Sequence, residues 1–150
     1  MDWRAARLRA LEESPAAFTA TMADWTGEND TEDRWRGRLA LVPVNLLAEL
    51  DDRMVGMVSM TAVRDGTADL LSMWVAPEAR GRGVADALIQ ATIAHARAMN
   101  AERLGLDVRT SSRPAIALYS RWGFIDVGWT TPPSAPSPER RMLLDLAHVG

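Results

Sequence analysis

The sequence contains no cysteine, and this absence removes several kinds of chemistry at once. Without a thiol the chain has no disulfide scaffold, no thiolate zinc site and no cysteine nucleophile. Only two histidines are present, His95 and His148, and they lie far apart in the chain. A His-rich metal site is therefore not expected either, and we expect no bound metal.

Lysine and long apolar runs are also missing. The 17 basic residues are outnumbered by 20 acidic ones, so the formal charge is −3. No basic excess indicates a nucleic-acid or anionic membrane partner. No apolar run approaches the ~18 residues of a membrane span, and no signal-peptide core follows the N-terminus. We expect a cytoplasmic protein without membrane or nucleic-acid partners.

The composition that remains is typical of one globular domain. The chain has 150 residues, 47% of them hydrophobic and 25% charged. A chain of this size buries roughly 68–70% of its unfolded surface, which suffices for a core without disulfides or metals. No repeat or linker divides it, so we predict a single domain, residues 1–150.

The apolar pattern predicts two helices ahead of a strand-rich region. Helical spacing is present from Asp2 to about Glu13 and from Asp30 towards Leu39. Alternation then predicts an antiparallel meander with an Asp65–Gly66 hairpin turn and strands at Val44–Leu50, Met54–Val63 and Ala68–Val75.

The second half of the sequence predicts a helix–strand–helix unit and a last hairpin. The predicted elements are a helix at Arg82–Met99, a strand at Arg103–Arg109, a short helix at Pro114–Trp122 and strands at Phe124–Trp129 and Arg140–Leu146. His95 flanks the apolar face of the long helix, and we expect it to pack in the core. Together these elements predict an α/β (α+β) fold whose mixed, mostly antiparallel central sheet is flanked by helices.

The most informative segment is the glycine-rich turn Val75–Ala85, between a predicted buried strand and the long helix. Glycines let the backbone approach a ligand, and free amides at a helix start bind anions. Arg80 and Arg82 add donors for phosphate oxygens. The Walker pattern and the dinucleotide fingerprint are both missing, which leaves a pyrophosphate in another setting. Coenzyme A is the obvious bearer.

This turn carries a family resemblance. Its residues Arg80-x-x-Gly83-x-Ala85 resemble the signature of the GNAT superfamily of acetyl-CoA-dependent N-acetyltransferases. Further stretches agree in order and spacing across nearly the whole chain: Val55–Val58, Met73–Pro77, Leu106–Arg109, and Ala115–Phe124 with its tyrosine and Gly-Phe pair.

The resemblance implies a binding mode for acetyl-CoA. In this family the strand before the signature carries a bulge and splays away from its parallel neighbour, and the pantetheine arm lies in the gap. The implied cofactor contacts are Met73, Trp74, Val75, Arg80, Gly81, Arg82, Gly83, Val84, Ala85, Ser112, Ala115 and Tyr119. Ser112 replaces the asparagine common in the family, so that contact is expected to be shortened or water-mediated.

The resemblance also implies catalytic roles. Tyr119, the only tyrosine, matches the general acid that faces the thioester sulfur. Two carboxylates are candidates for the role of general base. Asp107 matches the glutamate of acetyltransferases that modify ribosomal-protein N-termini, and Asp69 matches the strand glutamate of histone-type members. Either aspartate is alternatively a solvated strand residue.

The resulting hypothesis is acetyl transfer from acetyl-CoA to a primary amine by direct attack. The alternatives are a non-catalytic acyl-CoA-binding or regulatory domain and a plain interaction module. A small amine or a peptide N-terminus is the expected acceptor, and the resemblance makes a homodimer plausible. The family has a short strand ahead of the first helix. We therefore expect either a late start of the sequence or an exposed sheet edge covered by a partner chain, a tag or a loop.

Overall fold

The computed structural model of the chain describes residues 42–148. The helices predicted at Asp2–Glu13 and Asp30–Leu39 lie outside these residues, and so does the expected gap in the sheet ahead of them. The elements below are numbered within the described part.

Within residues 42–148, six strands form a mixed sheet in the order β1-β2-β3-β4-β6-β5. Neighbours are antiparallel except β3 and β4, which are parallel. The strands are β1 (Val44–Leu50), β2 (Arg53–Met60), β3 (Thr67–Val75), β4 (Arg103–Arg109), β5 (Ile125–Trp129) and β6 (Glu139–Asp145). The predicted mixed, mostly antiparallel sheet with one parallel pair is confirmed.

Two α-helices are present in residues 42–148, α1 (Val84–Ala98) and α2 (Arg113–Arg121). The start of α1 lies two residues beyond the predicted one, because Gly81 and Gly83 adopt φ of +79° and +81° and hold the chain outside the helical region. The helix ends at Ala98. Asn100 then adopts a φ of +61° and its amide donates a hydrogen bond to Arg97 O, which forms a left-handed cap.

The chain divides into two compact units, which are described separately. The first contains residues 42–62 and 70–95, with β1, β2, most of β3 and most of α1. The second contains residues 63–69 and 96–148, with the start of β3, the strands β4 to β6 and α2.

The core of the first unit lies between the strands and α1. Val58 and Ile89 are fully buried. Burial of each such side chain contributes about 1.5–3 kcal/mol relative to exposure. Gly56 on β2 sets the helix spacing, since an added Cβ would lie 3.0 Å from Val84 Cγ1. His95 is exposed, so the expectation that it packs in the core was wrong. The apolar stripe of α1 passes beside it through Thr92 and Ala96, both fully buried.

The second unit separates an apolar and a polar face across its strands. Leu104, Leu106, Met142 and Leu144 are buried on one face, where the register pairs Leu104 with Leu144 and Leu106 with Met142. The residues between them in sequence lie on the opposite face, because successive side chains in a strand alternate. That second face carries the polar side chains described below.

Candidate functional site

The first unit contains the turn that the sequence marked for a pyrophosphate. After β3, Pro77–Ala79 form one short 3-10 turn, and Arg80 continues in an extended conformation. The Arg80 guanidinium bonds back to Val75 O at 3.2 Å, which folds the turn against the end of β3. The chain therefore enters α1 through a tight, internally braced loop.

Gly81 and Gly83 give this loop an open backbone surface. Both lie in the left-handed region, and a Cβ placed on either would meet no atom of residues 42–148 within 4 Å. The first hydrogen bond of α1 runs from the Ala87 amide to Gly83 O at 3.1 Å. The amides before it belong to the first turn, which has no carbonyl partners within a helix. This surface fits an anionic group that approaches the backbone closely.

The end of β3 carries the bulge that the family resemblance implied. Met57 pairs with Trp74 and Ser59 with Leu71, so β3 holds one residue more than β2 in this interval. Ser72 takes up the extra length with a φ of +56°. Trp74 beyond the bulge is buried, while Met73 and Val75 are half-buried. The parallel ladder of β3 with β4 comprises three residue pairs and ends at Asp69 and Gly105.

In the second unit, Tyr119 lies on α2 and is 6% exposed. Its ring packs edge-on against Phe124, with 5.6 Å between the ring centroids. No group among residues 42–148 forms a hydrogen bond with the phenolic oxygen. Burial alone raises the pKa of Tyr119 to about 12. A buried hydroxyl is costly without a partner, and this one has none within residues 42–148.

The other α2 residues implied for the cofactor are less buried. Ser112 precedes the helix and is half-buried, and its hydroxyl forms no capping bond with the helix amides. Ala115 is half-buried in the first turn. The Ser112 carbonyl accepts from the Ile116 amide at 3.0 Å, so the residue starts α2 through its backbone.

The two candidate bases lie on the polar face of the second unit and share one cation. Arg141 on β6 donates to both oxygens of Asp69, at 2.7 and 3.1 Å, and its Nη1 lies 3.4 Å from Asp107 Oδ1. The hydrogen bond with Asp69, followed by the charges of both carboxylates, raises the pKa of Arg141. The two aspartates and Arg141 carry a net charge of −1 together.

Asp107 differs from Asp69 in how its oxygens are used. The Thr130 hydroxyl donates to Asp107 Oδ1 at 2.6 Å, so both partners of this carboxylate bind the same oxygen. Asp107 Oδ2 has no hydrogen-bond partner among residues 42–148. Asp69 has both oxygens engaged by Arg141. The free oxygen makes Asp107 the more available proton acceptor.

Sequence reasoning missed Arg141, Thr130 and Gly105 as parts of this cluster. Gly105 lies in the interior of β4, where a Cβ would stand 2.6 Å from Arg141 Nη2 and 2.9 Å from Asp69 Oδ1. A glycine inside a strand is a recognisable signal of close approach by another group. Which group approaches depends on the β4–β6 register and was not readable locally.

Residues 42–148 contain no helix long and apolar enough to cross a membrane. The same residues bring together no group of three or more acidic, histidine or cysteine side chains able to hold a metal ion.

Comparison with known proteins places these features in a family. The family model described as Acetyltransferase (GNAT) family matches residues 7–124. A candidate [ribosomal protein bS18]-alanine N-acetyltransferase of Bacillus subtilis is 31% identical over 78 residues, which are 52% of this chain and 51% of that protein. The match therefore spans about half the length of that curated relative. The match to a human relative, N-acetyltransferase 8, covers 38% of that protein.

Solved structures share the fold at low sequence identity. The ribosomal-protein-alanine N-acetyltransferase from Brucella melitensis superposes with a TM-score of 0.70 at 22% identity, covering 95% of this chain and 91% of that one. A candidate acetyltransferase from Salmonella typhimurium, solved with its cofactor acetyl-CoA, gives 0.74 at 19% identity and covers 98% and 88%. The family match extends over most of the sequence, from the predicted first helix to Phe124, and the chain belongs to the GNAT family of acetyltransferases.

Proposed function

We propose that this protein is an N-acetyltransferase that transfers the acetyl group of acetyl-CoA to a primary amine by direct attack. The observation that carries the proposal is the open two-glycine turn at the start of α1, directly after a bulged strand, in a chain of the GNAT family. The same turn carries the signature residues Arg80, Gly83 and Ala85.

The residues of the turn fit the pyrophosphate of coenzyme A. The backbone amides of residues 81–85 would bind its oxygens, and Arg80 and Arg82, both exposed, would add charge-assisted donors. The backbone of 73–75 would bind the pantetheine arm. In the second unit, Ser112 and Ala115 would contact the cofactor beside Tyr119. When bound, acetyl-CoA supplies an activated acyl group as a thioester.

Asp107 would serve as the proton acceptor. A lysine-type amine of pKa ~10.4 is protonated at pH 7, and freeing its lone pair costs ~4–5 kcal/mol at 1.36 per unit. For a peptide N-terminus of pKa ~8 the cost is only ~1 kcal/mol. The unengaged Oδ2 of Asp107 can accept this proton directly or through water. The nitrogen then forms a bond with the carbonyl carbon while the carbon–sulfur bond breaks and the sulfur leaves as a thiolate. The nitrogen loses its second proton to solvent, which leaves a neutral amide.

Tyr119 would protonate that thiolate. Its buried hydroxyl has no partner among the described residues, so it is free to donate to a sulfur atom. Its raised pKa, about 12, keeps the proton on the phenol throughout the neutral range. The group is therefore always in the donor form when the thiolate appears.

A peptide N-terminus is the acceptor that we propose first. The relatives from Bacillus subtilis and Brucella melitensis are both named for alanine acetylation on ribosomal proteins. The net negative charge of the Asp69, Asp107 and Arg141 cluster suits an ammonium group. A single domain over residues 1–150, a cytoplasmic location and a homodimer stay predictions.

The first experiment is calorimetric titration of the full chain with acetyl-CoA and, in parallel, with acetyl-pantetheine, which lacks the pyrophosphate. We expect micromolar binding of acetyl-CoA and at least about tenfold weaker binding of the shortened compound, which corresponds to ~1.4 kcal/mol. Gly83→Ala should weaken acetyl-CoA by a similar factor, because a methyl group enters the anion surface. Gly128→Ala is the matched control, since Gly128 also has a positive φ and open space beside it.

Transfer is then measured with peptides that carry an N-terminal alanine, with lysine-containing peptides and with small amines. Acetylation of any of these supports the enzyme. Absence of binding by the folded protein would contradict the proposal. Binding without transfer to any acceptor would instead identify a non-catalytic acyl-CoA-binding domain.

A further inference from the structure

We infer that Arg141 is a positioning residue that holds Asp107 in its proton-accepting orientation. Asp69 anchors the guanidinium, and the missing side chain of Gly105 leaves the space that Arg141 occupies. This inference rests on the proposed function and deepens it. It gives Asp69 a supporting role and leaves Asp107 as the group that meets the acceptor amine.

The anchor is the two-point contact between Arg141 and Asp69. Nη2 lies 2.7 Å from Asp69 Oδ1 and Nη1 lies 3.1 Å from Oδ2. Two parallel bonds between a planar guanidinium and a planar carboxylate fix the orientation of both groups. The group is 28% exposed and Asp69 is 32% exposed, so solvent shields the pair only in part.

The same fixed guanidinium is directed at Asp107. Nη1 reaches Asp107 Oδ1 at 3.4 Å, while Thr130 Oγ1 donates to this oxygen at 2.6 Å. Two donors, one on β6 and one directly after β5, thus hold one oxygen. The carboxyl plane is restrained, and Oδ2 is left for a proton. Oδ1 therefore orients the carboxylate, and Oδ2 accepts the proton.

Gly105 makes the contact across β4 sterically feasible. Asp69 on β3 pairs with Gly105 on β4, and Arg141 on β6 pairs with Asp107, two residues further along. The Arg141 side chain must therefore pass over Gly105 to reach Asp69. A Cβ at this position would lie 2.6 Å from Nη2, which is closer than real Cβ atoms stand, and 3.0 Å from Cζ. Any other residue there would displace the guanidinium.

A double-mutant cycle on the full chain tests the inference. The cycle compares wild type, Arg141→Gln, Asp107→Asn and the double variant, with kcat, KM for the amine and acetyl-CoA affinity measured for each. We expect Arg141→Gln to lower kcat about tenfold or more with the acetyl-CoA Kd within about twofold of wild type. In the Asp107→Asn background the same change should have almost no further effect, because residues acting through one another are not additive.

Three further variants separate positioning from charge and from folding. Gly105→Ala keeps Arg141 but displaces it, and should lower kcat in the same way. Arg141→Lys keeps the charge without the two-point contact and should retain an intermediate kcat. Arg140→Gln is the matched control. Arg140 is the neighbouring residue on β6 and pairs with Asp126 instead, so kcat should stay within about twofold of wild type.

Two outcomes are contrary and can be told apart. An active wild type in which Arg141→Gln leaves kcat unchanged, or lowers it equally in both backgrounds, overturns the positioning role and leaves the proposed function standing. A folded wild type that binds acetyl-CoA but acetylates no amine overturns the proposed function, and the inference falls with it.

Discussion

Among single residues, Tyr119 shows how burial shapes its candidate role. With a pKa of about 12, its phenol is a weaker acid than a free tyrosine. A thiol has a pKa of ~8.5, so transfer from this phenol to a thiolate is uphill by ~5 kcal/mol at 1.36 per unit. We therefore expect Tyr119 to act first as a hydrogen-bond donor to the sulfur, and to give up its proton only when a bound ligand or solvent offsets this cost.

Tyr119→Phe removes the hydroxyl and keeps the ring that packs on Phe124. We expect kcat for acetyl transfer to fall about 10²-fold or more, the usual range for loss of a general acid, with acetyl-CoA affinity nearly unchanged. Turnover and calorimetric Kd measured together check this. A variant with wild-type kcat would show that Tyr119 is a core residue without a catalytic role.

The same variant has a second readout at alkaline pH. The unfolded tyrosine ionises near its ordinary pKa of ~10, while the folded one resists up to about 12. The unfolded state therefore loses its proton first, and the stability of the wild type should decline as pH rises through this interval. Tyr119→Phe should lack that part of the decline in unfolding experiments between pH 9 and 11, roughly the accessible part of the interval.

The sequence identified residues that lie in recognisable motifs. It missed residues whose role depends on how distant strands pair. Tyr119 and Asp107 were singled out because they fall in recognisable stretches, although their roles stay predictions. Arg141 was overlooked because its meaning arises from strands that are distant in sequence. His95 was misplaced because a helical stripe has two borders, and a residue on a border can turn outward.

At the scale of elements, the placement of α1 depends on one glycine in β2. A Cβ on Gly56 would lie 3.0 Å from Val84 Cγ1, 3.1 Å from Leu88 Cδ1 and 3.1 Å from Trp74 O. The first turn of the helix packs where a side chain would otherwise stand. Since this first turn includes the proposed pyrophosphate amides, Gly56 links the packing of the first unit to cofactor binding.

Gly56→Val should push the start of α1 outward. We expect a loss of about 1–3 kcal/mol in the free energy of unfolding, as for other overpacked positions, together with weaker acetyl-CoA binding. Glu49→Val serves as the control, because it adds the same side chain at an exposed position of β1. Denaturant unfolding and calorimetry would check both effects. Unchanged stability and affinity would show that the helix does not depend on this close approach.

Element order and type followed well from the sequence within residues 42–148, and the strand β4 matches its predicted bounds. Where an element ends at a different residue than predicted, the cause is local. The predicted second strand extended to Val63 but β2 ends at Met60, and the chain then reaches its turn through the isolated Arg64–Thr67 bridge. The bulge at Ser72 came from the family resemblance and not from the apolar pattern of the strand.

For the whole molecule, the absence of cysteine constrains the kinetic route. A covalent acyl-thioester on the protein cannot form, so acetyl-CoA and the amine should be bound together before transfer. We expect initial-rate plots at several fixed amine concentrations to intersect, and N-ethylmaleimide to leave turnover unchanged. Parallel lines would indicate an acyl-enzyme on some other side chain and would contradict direct attack.

The guanidinium that spans β3, β4 and β6 also bears on how the strands find their partners. Only three residue pairs join β3 to β4, and so short a ladder defines its own alignment weakly. A shift by one residue would turn Asp69 towards the side occupied by Leu104 and Leu106 and would bring Ala68 out to Arg141. A carboxylate among leucines without a cation is strongly disfavoured. The ion pair across Gly105 thus favours the native strand register during folding, because it forms only when all three strands are aligned.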